Sequence, residues 1–116
     1  LKFCFDSGHA NCFTPGEAPL ALFGSRLATT HLHDNHGPLP EGEYFSTGDE
    51  HLLPGEGNIS FDTLMPRIWA LQPECYNLES CMSPQDREAG VTMEAFLSRS
   101  YKILRALTAG AVHDAP

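Results

Sequence analysis

The sequence has no apolar run near the ~18 residues that a membrane span needs. It shows no basic stretch leading into an apolar core, so no signal peptide is read. Cations are scarce: 7 Lys and Arg stand against 15 Asp and Glu, a formal net charge of −8. No Lys or Arg lies between Leu27 and Pro66. A duplex binder needs several cations to displace counterions from phosphate. Nucleic acid is therefore not the expected partner, and a strongly anionic substrate is not expected where this stretch builds a site. The four cysteines, Cys4, Cys12, Cys75 and Cys81, show no C-x-x-C spacing. That argues against a disulfide framework and a structural zinc knot. A reducing, cytoplasmic compartment is the expectation. Cys4 and Cys75 fall in apolar strand-like runs, where a free thiol acts as a small hydrophobe.

What is present is globular. The 116 residues are 41% hydrophobic and 19% charged, enough for one domain or part of one. Leu1 to Phe5 reads as a buried strand stopped by a turn at Asp6-Ser7-Gly8. A chain opening in mid-strand is expected to be the middle or end of something larger. Ala18 to Gly24 reads as a short helix with Pro19 in its first turn, and Leu27 to His33 as a second strand. From Asp34 to Gly57 nothing is periodic, and a structureless connection of that length is usually functional or mobile. Ser60 is expected to cap a helix from Phe61 to Leu71, with Pro66 tolerable only near its first turn. Cys75 to Glu79 reads as a third strand, followed by a polar, turn-rich stretch from Ser80 to Gly90. Thr92 caps a helix with Met93, Phe96, Leu97, Tyr101, Leu104 and Leu107 on one stripe. Trp69, Tyr76 and the helical phenylalanines read as core. The order is strand, helix, strand, helix, strand, helix, which predicts an α/β fold of parallel βαβαβα units.

The residues with ligand chemistry gather at the strand ends. Asp6 ends the first strand, His31 and His33 the second, and Glu79 the third. In parallel α/β folds the functional groups collect at that edge, because the βα loops open there. A glutamate buried inside a barrel is costly unless paired or metal-bound. Imidazole and carboxylate together suit Mn²⁺, Mg²⁺, Co²⁺ or Zn²⁺. His9 follows Asp6 by three residues, and Asp49 precedes His51 by two. Each pair alone reads as a hydrogen-bonded turn; set on three strand ends, they read as a site. His33 and His36 read either as a residue orienting a ligand or as solvated loop histidines, and His113 is given no role. Leu53 to Gly57 reads as a tight turn whose amides either face the site or only reverse the chain.

Phe-Asp-Ser-Gly-His-Ala, Thr-His-Leu-His-Asp-Asn, His-Leu-Leu-Pro-Gly-Glu-Gly-Asn-Ile-Ser-Phe and Asn-Leu-Glu-Ser occur in that order. In order and spacing they resemble the last three βα units of the xylose isomerase-like barrel superfamily. That superfamily includes sugar phosphate isomerases and epimerases, inosose isomerases and dehydratases, and endonuclease IV-type enzymes. The resemblance implies that residues 1–108 are the C-terminal part of a (β/α)8 barrel and 109–116 a flexible tail. It puts Asp6, His31 and Glu79 on metal-ligand positions. It puts His9 on a substrate contact of the epimerases that is a metal ligand in the endonucleases. Asp49 and His51 match a pair that holds a further zinc in the endonucleases. The superfamily's fourth isomerase ligand, a Glu on an earlier strand, has no counterpart here, and Gly37 stands where epimerases carry an Arg.

The implied function is a divalent-metal-dependent isomerase or epimerase of a sugar or polyol-derived ketone. It would work by proton transfer through a metal-stabilised enediolate, with Glu79 moving the proton and His9 bonding a substrate oxygen. The implied partners are a carbohydrate substrate, no membrane, and either the missing N-terminal barrel half or a second copy. The alternatives are a zinc phosphodiesterase acting on abasic DNA and a half-barrel fragment with no activity of its own. An inosose dehydratase would share the isomerase chemistry as far as the enolate.

Overall fold

The computed structural model describes residues 1–15, 18–40 and 48–111. Three short strands, β1 (Phe3–Asp6), β2 (Leu27–Leu32) and β3 (Cys75–Leu78), pair in parallel in the order β1-β2-β3. Around them lie the helices α1 (Ser7–Phe13), α2 (Pro19–Phe23), α3 (Phe61–Leu71), α4 (Pro84–Glu88) and α5 (Met93–Leu107). This is a mixed α/β arrangement with the parallel order read from the sequence. No helix among the described residues is long and apolar enough to cross a membrane.

Side chains alternate across a strand, and the two faces of this sheet differ. Phe5 and Leu32 point to one face, where they join Leu20, Leu27, Phe61, Met65 and Ile68 in the buried core. Tyr76 and Leu78 pack against the same cluster. The other face carries Cys4, Asp6, Thr29, His31, Cys75 and Asn77. In register, Cys4 stands opposite Thr29 and Thr29 opposite Cys75; Asp6 stands opposite His31 and His31 opposite Asn77. Cys4 and Cys75 are exposed there, so they are not the buried small hydrophobes expected. Asn77 is exposed on this face as well, Thr29 and His31 are half-buried, and among the described residues β1 and β3 each have a strand partner on one side only.

Other expectations also need correction. Asp6-Ser7-Gly8 does not simply turn: the Asp6 carboxylate accepts the His9 N–H at 2.8 Å and caps α1. Within the polar stretch after β3, Ser83 caps the short helix α4 in the same way, through the Asp86 N–H. Ser60 does not cap α3; its hydroxyl lies 2.9 Å from the Thr63 hydroxyl instead. Pro66 sits inside α3 beyond the first turn, on its exposed side, where the carbonyl it leaves without a donor can meet water. Thr92 does cap α5, accepting the Ala95 N–H at 3.2 Å. The α5 stripe is divided, however. Phe96 is buried and Leu104 and Leu107 reach the core, but Met93, Leu97 and Tyr101 stay exposed because no element beyond β3 covers them among the described residues. Phe23 is exposed too, while Trp69 is half-buried and donates its Nε1–H to the Leu107 carbonyl at 3.0 Å.

The connection after β2 is ordered where it is described. Asp34 and Leu52 exchange two backbone hydrogen bonds, 2.8 and 2.9 Å, as an isolated antiparallel bridge. Asp34 is fully buried, and its carboxylate accepts four backbone N–H groups: those of Asn35 and Ile59 on Oδ1, those of Gly55 and Gly57 on Oδ2. With four donors facing it, the carboxyl must act purely as an acceptor. This staple fixes the segment that carries Asp49 and His51 above the strand ends. Within the connection, residues 41–47 lie outside the described residues, as do 112–116 of the tail, including His113.

Candidate metal centre

Two groups of donors meet at the C-terminal edge of the sheet. In the first, Asp6, His31 and Glu79 each offer a ligand atom, all within 4.8 Å of one another. Asp6 and His31 are paired across β1 and β2. Glu79 follows β3 and extends its ladder through its own N–H to the Leu32 carbonyl at 3.0 Å. His31 Nδ1 lies 2.7 Å from Glu79 Oε2 and 3.7 Å from Asp6 Oδ2. His31 and Glu79 are 41% and 46% exposed, so this group opens on the partly exposed face.

The second group is His9, Asp49 and His51, with His33 behind them. Asp49 Oδ2 lies 3.0 Å from His9 Nε2 and 3.1 Å from His51 Nε2. The other ring nitrogen of His51 lies 3.0 Å from the Glu79 carbonyl oxygen. A proton on Nδ1, given to that carbonyl, leaves Nε2 with its lone pair toward Asp49, the usual arrangement of a metal-binding imidazole. His51 also adopts a left-handed backbone, φ 50°, which costs a non-glycine residue about 1–2 kcal/mol. The neighbouring bonds hold it there: Cys81 N–H donates to the His51 carbonyl at 2.7 Å and Ser80 Oγ to the Leu52 carbonyl at 3.1 Å. Asp49 Oδ1 is buried with no hydrogen-bond partner among the described residues. An unmatched buried carboxylate oxygen beside two imidazoles fits a cation.

His9 joins the two groups. Its Nδ1 lies 3.2 Å from Asp6 Oδ2 while its Nε2 faces Asp49. To bond a substrate oxygen, the ring would have to release one of these carboxylates. Electrostatics agree with the geometry. Burial pushes the Asp6 carboxyl up, but the His33 and His9 hydrogen bonds and the charge of those rings outweigh it and hold the group below its ordinary value. Burial pulls His51 down, yet the Glu79 carbonyl, the Asp49 carboxylate and the Glu79 charge leave it above its ordinary value.

All six residues singled out from the sequence, Asp6, His9, His31, Asp49, His51 and Glu79, thus fall in one region. His36 does not join them; its ring and its N–H bind Glu50 on an exposed side. The Gly55 and Gly57 amides turn to Asp34 and not to the site. Sequence reasoning undervalued His33, which is fully buried with Nε2 2.9 Å from Asp6 Oδ1. It missed Asp34 altogether. The available signal was a strand running on into four polar residues, His33-Asp34-Asn35-His36, three of which are fully buried.

No family model matches the chain, and no solved structure matches it. It is similar to an uncharacterized protein, y4fM, of Sinorhizobium fredii (strain NBRC 101917 / NGR234), with 38% identity over 68 residues. The match takes in 58% of this chain and 19% of that relative, so the chain spans about a fifth of the length of the curated protein it matches.

Proposed function

We propose that the chain is part of a divalent-metal-dependent isomerase or epimerase acting on a sugar or polyol-derived ketone. The observation that carries this reading is the convergence of Asp6, His31 and Glu79 at the ends of three parallel strands. One imidazole nitrogen and two carboxylate oxygens on an open face suit Mn²⁺, Mg²⁺, Co²⁺ or Zn²⁺. The ion would supply Lewis-acid polarisation of a carbonyl and orient the hydroxyl beside it. The remaining work falls to the chain. Glu79, nearly half exposed, takes and returns the proton of the carbon next to the carbonyl. His31, whose Nδ1 lies 2.7 Å from Glu79 Oε2, would hold the ion beside that carboxylate. The stretch from Leu27 to Pro66, free of Lys and Arg, favours a neutral substrate over a phosphorylated one.

The partly exposed sheet face and the one-sided strands β1 and β3 support a larger assembly, completed as a (β/α)8 barrel by an N-terminal half or by another copy. The much greater length of the matched relative supports the same view. The test uses the full-length protein, freed of metal and resupplied with Mn²⁺ or Co²⁺, with a panel of ketoses in deuterated water. Metal-dependent entry of deuterium at the carbon beside the carbonyl is expected. Its absence across the panel refutes the reading.

A second reading is favoured by one observation, the donor group of His9, Asp49 and His51 beside the first. Adjacent metal sites suit hydrolysis of a phosphodiester, as at abasic DNA. The net charge of −8 weighs against it. Nicking of an abasic duplex that a chelator abolishes would decide for it.

A further inference from the structure

One buried side chain between the two donor groups has no place in the reaction above. His33 is fully buried just past the end of β2, and Asp6, Ser7 and Gly8 at the start of α1 meet its Nε2, its backbone and one side of its ring. Asp6 Oδ1 meets its Nε2 at 2.9 Å. Ser7, itself 2% exposed, donates its hydroxyl to the His33 carbonyl at 2.6 Å and accepts the His33 N–H at 2.9 Å. Gly8 makes room for the ring: a Cβ there would lie 2.0 Å from its Cε1. The ring then stacks on that of His51, with centroids 3.9 Å apart and planes within 2°.

This packing separates His33 from the ligands. An imidazole binds a metal in its own ring plane, so two rings stacked in parallel cannot aim at one ion. His33 therefore cannot share an ion with His51, although it lies within reach. Its Nδ1 is buried with no hydrogen-bond partner among the described residues, so the tautomer protonated on Nε2 is the one that leaves no N–H unsatisfied there. That tautomer donates to Asp6.

We propose that His33 is a positioning residue: through Nε2–H it fixes one oxygen of Asp6 so that the other faces His31, and through its ring it sets the plane of His51. The proposal rests on the reading that Asp6 and His51 hold metal. Asp-Ser-Gly at the start of α1 is then a socket for a single ring, and one buried side chain orders a ligand in each donor group.

The test compares the full-length protein with His33→Phe, which keeps a stacking ring and loses the donor, and with His33→Gln, which restores a donor near the position of Nε2. Binding of Mn²⁺ is measured by calorimetry, the visible spectrum is recorded with Co²⁺, and the thermal midpoint of the metal-free protein is the control. Loss of a partner that orients a metal ligand lowers affinity by about 10–100-fold. That loss is expected in His33→Phe, with a changed Co²⁺ spectrum, while His33→Gln recovers binding near that of the unsubstituted protein. If the phenylalanine ring does not pack, His33→Leu serves as the donor-free variant. Unchanged affinity and spectrum in the donor-free variant overturn the proposal and leave the metal reading standing. So does a glutamine variant that binds as weakly as the donor-free one at equal stability. An unsubstituted protein that takes up neither cation overturns both.

Discussion

Asp34→Asn tests whether a buried carboxylate builds the loop over the site. The change is nearly isosteric, so the cost comes from hydrogen bonding alone. Each oxygen of Asp34 accepts two backbone N–H groups. An asparagine offers one oxygen, and its NH₂ must confront the donors on the other side. The cheaper choice is to keep Asn35 and Ile59 and abandon Gly55 and Gly57. Gly55 is exposed, and its N–H can turn to water; Gly57 is half-buried and cannot do so freely. One unsatisfied donor, together with weaker bonds to a neutral acceptor, costs about 2–3 kcal/mol. Removing a buried charge returns some energy only where that charge was poorly compensated, and four N–H groups compensate this one. Urea unfolding of the full-length variant should show a loss of that size, and the Gly57 amide should exchange faster with solvent. A stability within about 0.5 kcal/mol of the parent, with Gly57 equally protected, would refute the reasoning.

The same packing sets three further expectations. Ile68 is fully buried in the core, so Ile68→Ala should destabilise by about 2–5 kcal/mol in denaturant titration. A Cβ on Gly57 would lie 2.3 Å from the Asn35 carbonyl oxygen, so Gly57→Ala must displace buried backbone and should cost about 1–3 kcal/mol, read as a lower thermal midpoint. Stability should also fall at both ends of the pH range. Asp6, held below its ordinary 3.8 by His33 and His9 against the effect of burial, contributes stability above that value and loses it as the pH falls through the lower folded value. His51, held above its ordinary 6.5, contributes fully below that value and loses it as the pH rises through the higher folded value. Thermal midpoints of the metal-free protein across pH give the measurement, with Asp6→Asn reducing the acid limb and His51→Asn the alkaline one.

The strands were legible because their pattern is local. Phe3, Phe5, Leu32 and Leu78 alternate with Asp6, His31 and Glu79, and a period of two places those polar residues on one face without knowledge of the partner strands. The helix α1 was not legible in the same way. Asp-Ser-Gly serves as a turn or as a cap with equal ease, and what decides is the Ser7 hydroxyl reaching His33, just past β2 and 26 residues away in the chain. Asp34 poses the same difficulty, since three of its four donors lie 21 to 25 residues onward. Propensity and periodicity see a few residues at a time; a buried polar network is defined by which distant segments meet. The divided stripe of α5 shows the converse limit. Its spacing predicts a helix, but not how much of that helix the sheet will cover.

Asp6 shows why fold and site share residues here. Its Oδ1 accepts the His9 N–H at 2.8 Å, which starts α1, and the His33 ring at 2.9 Å. Its Oδ2 carries no such duty and faces His9 Nδ1 at 3.2 Å and His31 Nδ1 at 3.7 Å. A free carboxylate rotates, and a ligand that must be stilled on binding loses entropy at that moment. With Oδ1 pinned twice by the fold, that loss is incurred on folding, and Oδ2 is presented in place. The same division predicts an asymmetry. Asp6→Asn can keep its oxygen as Oδ1, in contact with the His9 amide and His33, and then lays an NH₂ toward the donors. Such a variant should hold α1 and the sheet yet bind a cation far more weakly, whereas Asp6→Ala should weaken both. Equal losses of stability in the two variants would show that the two oxygens are not divided in this way.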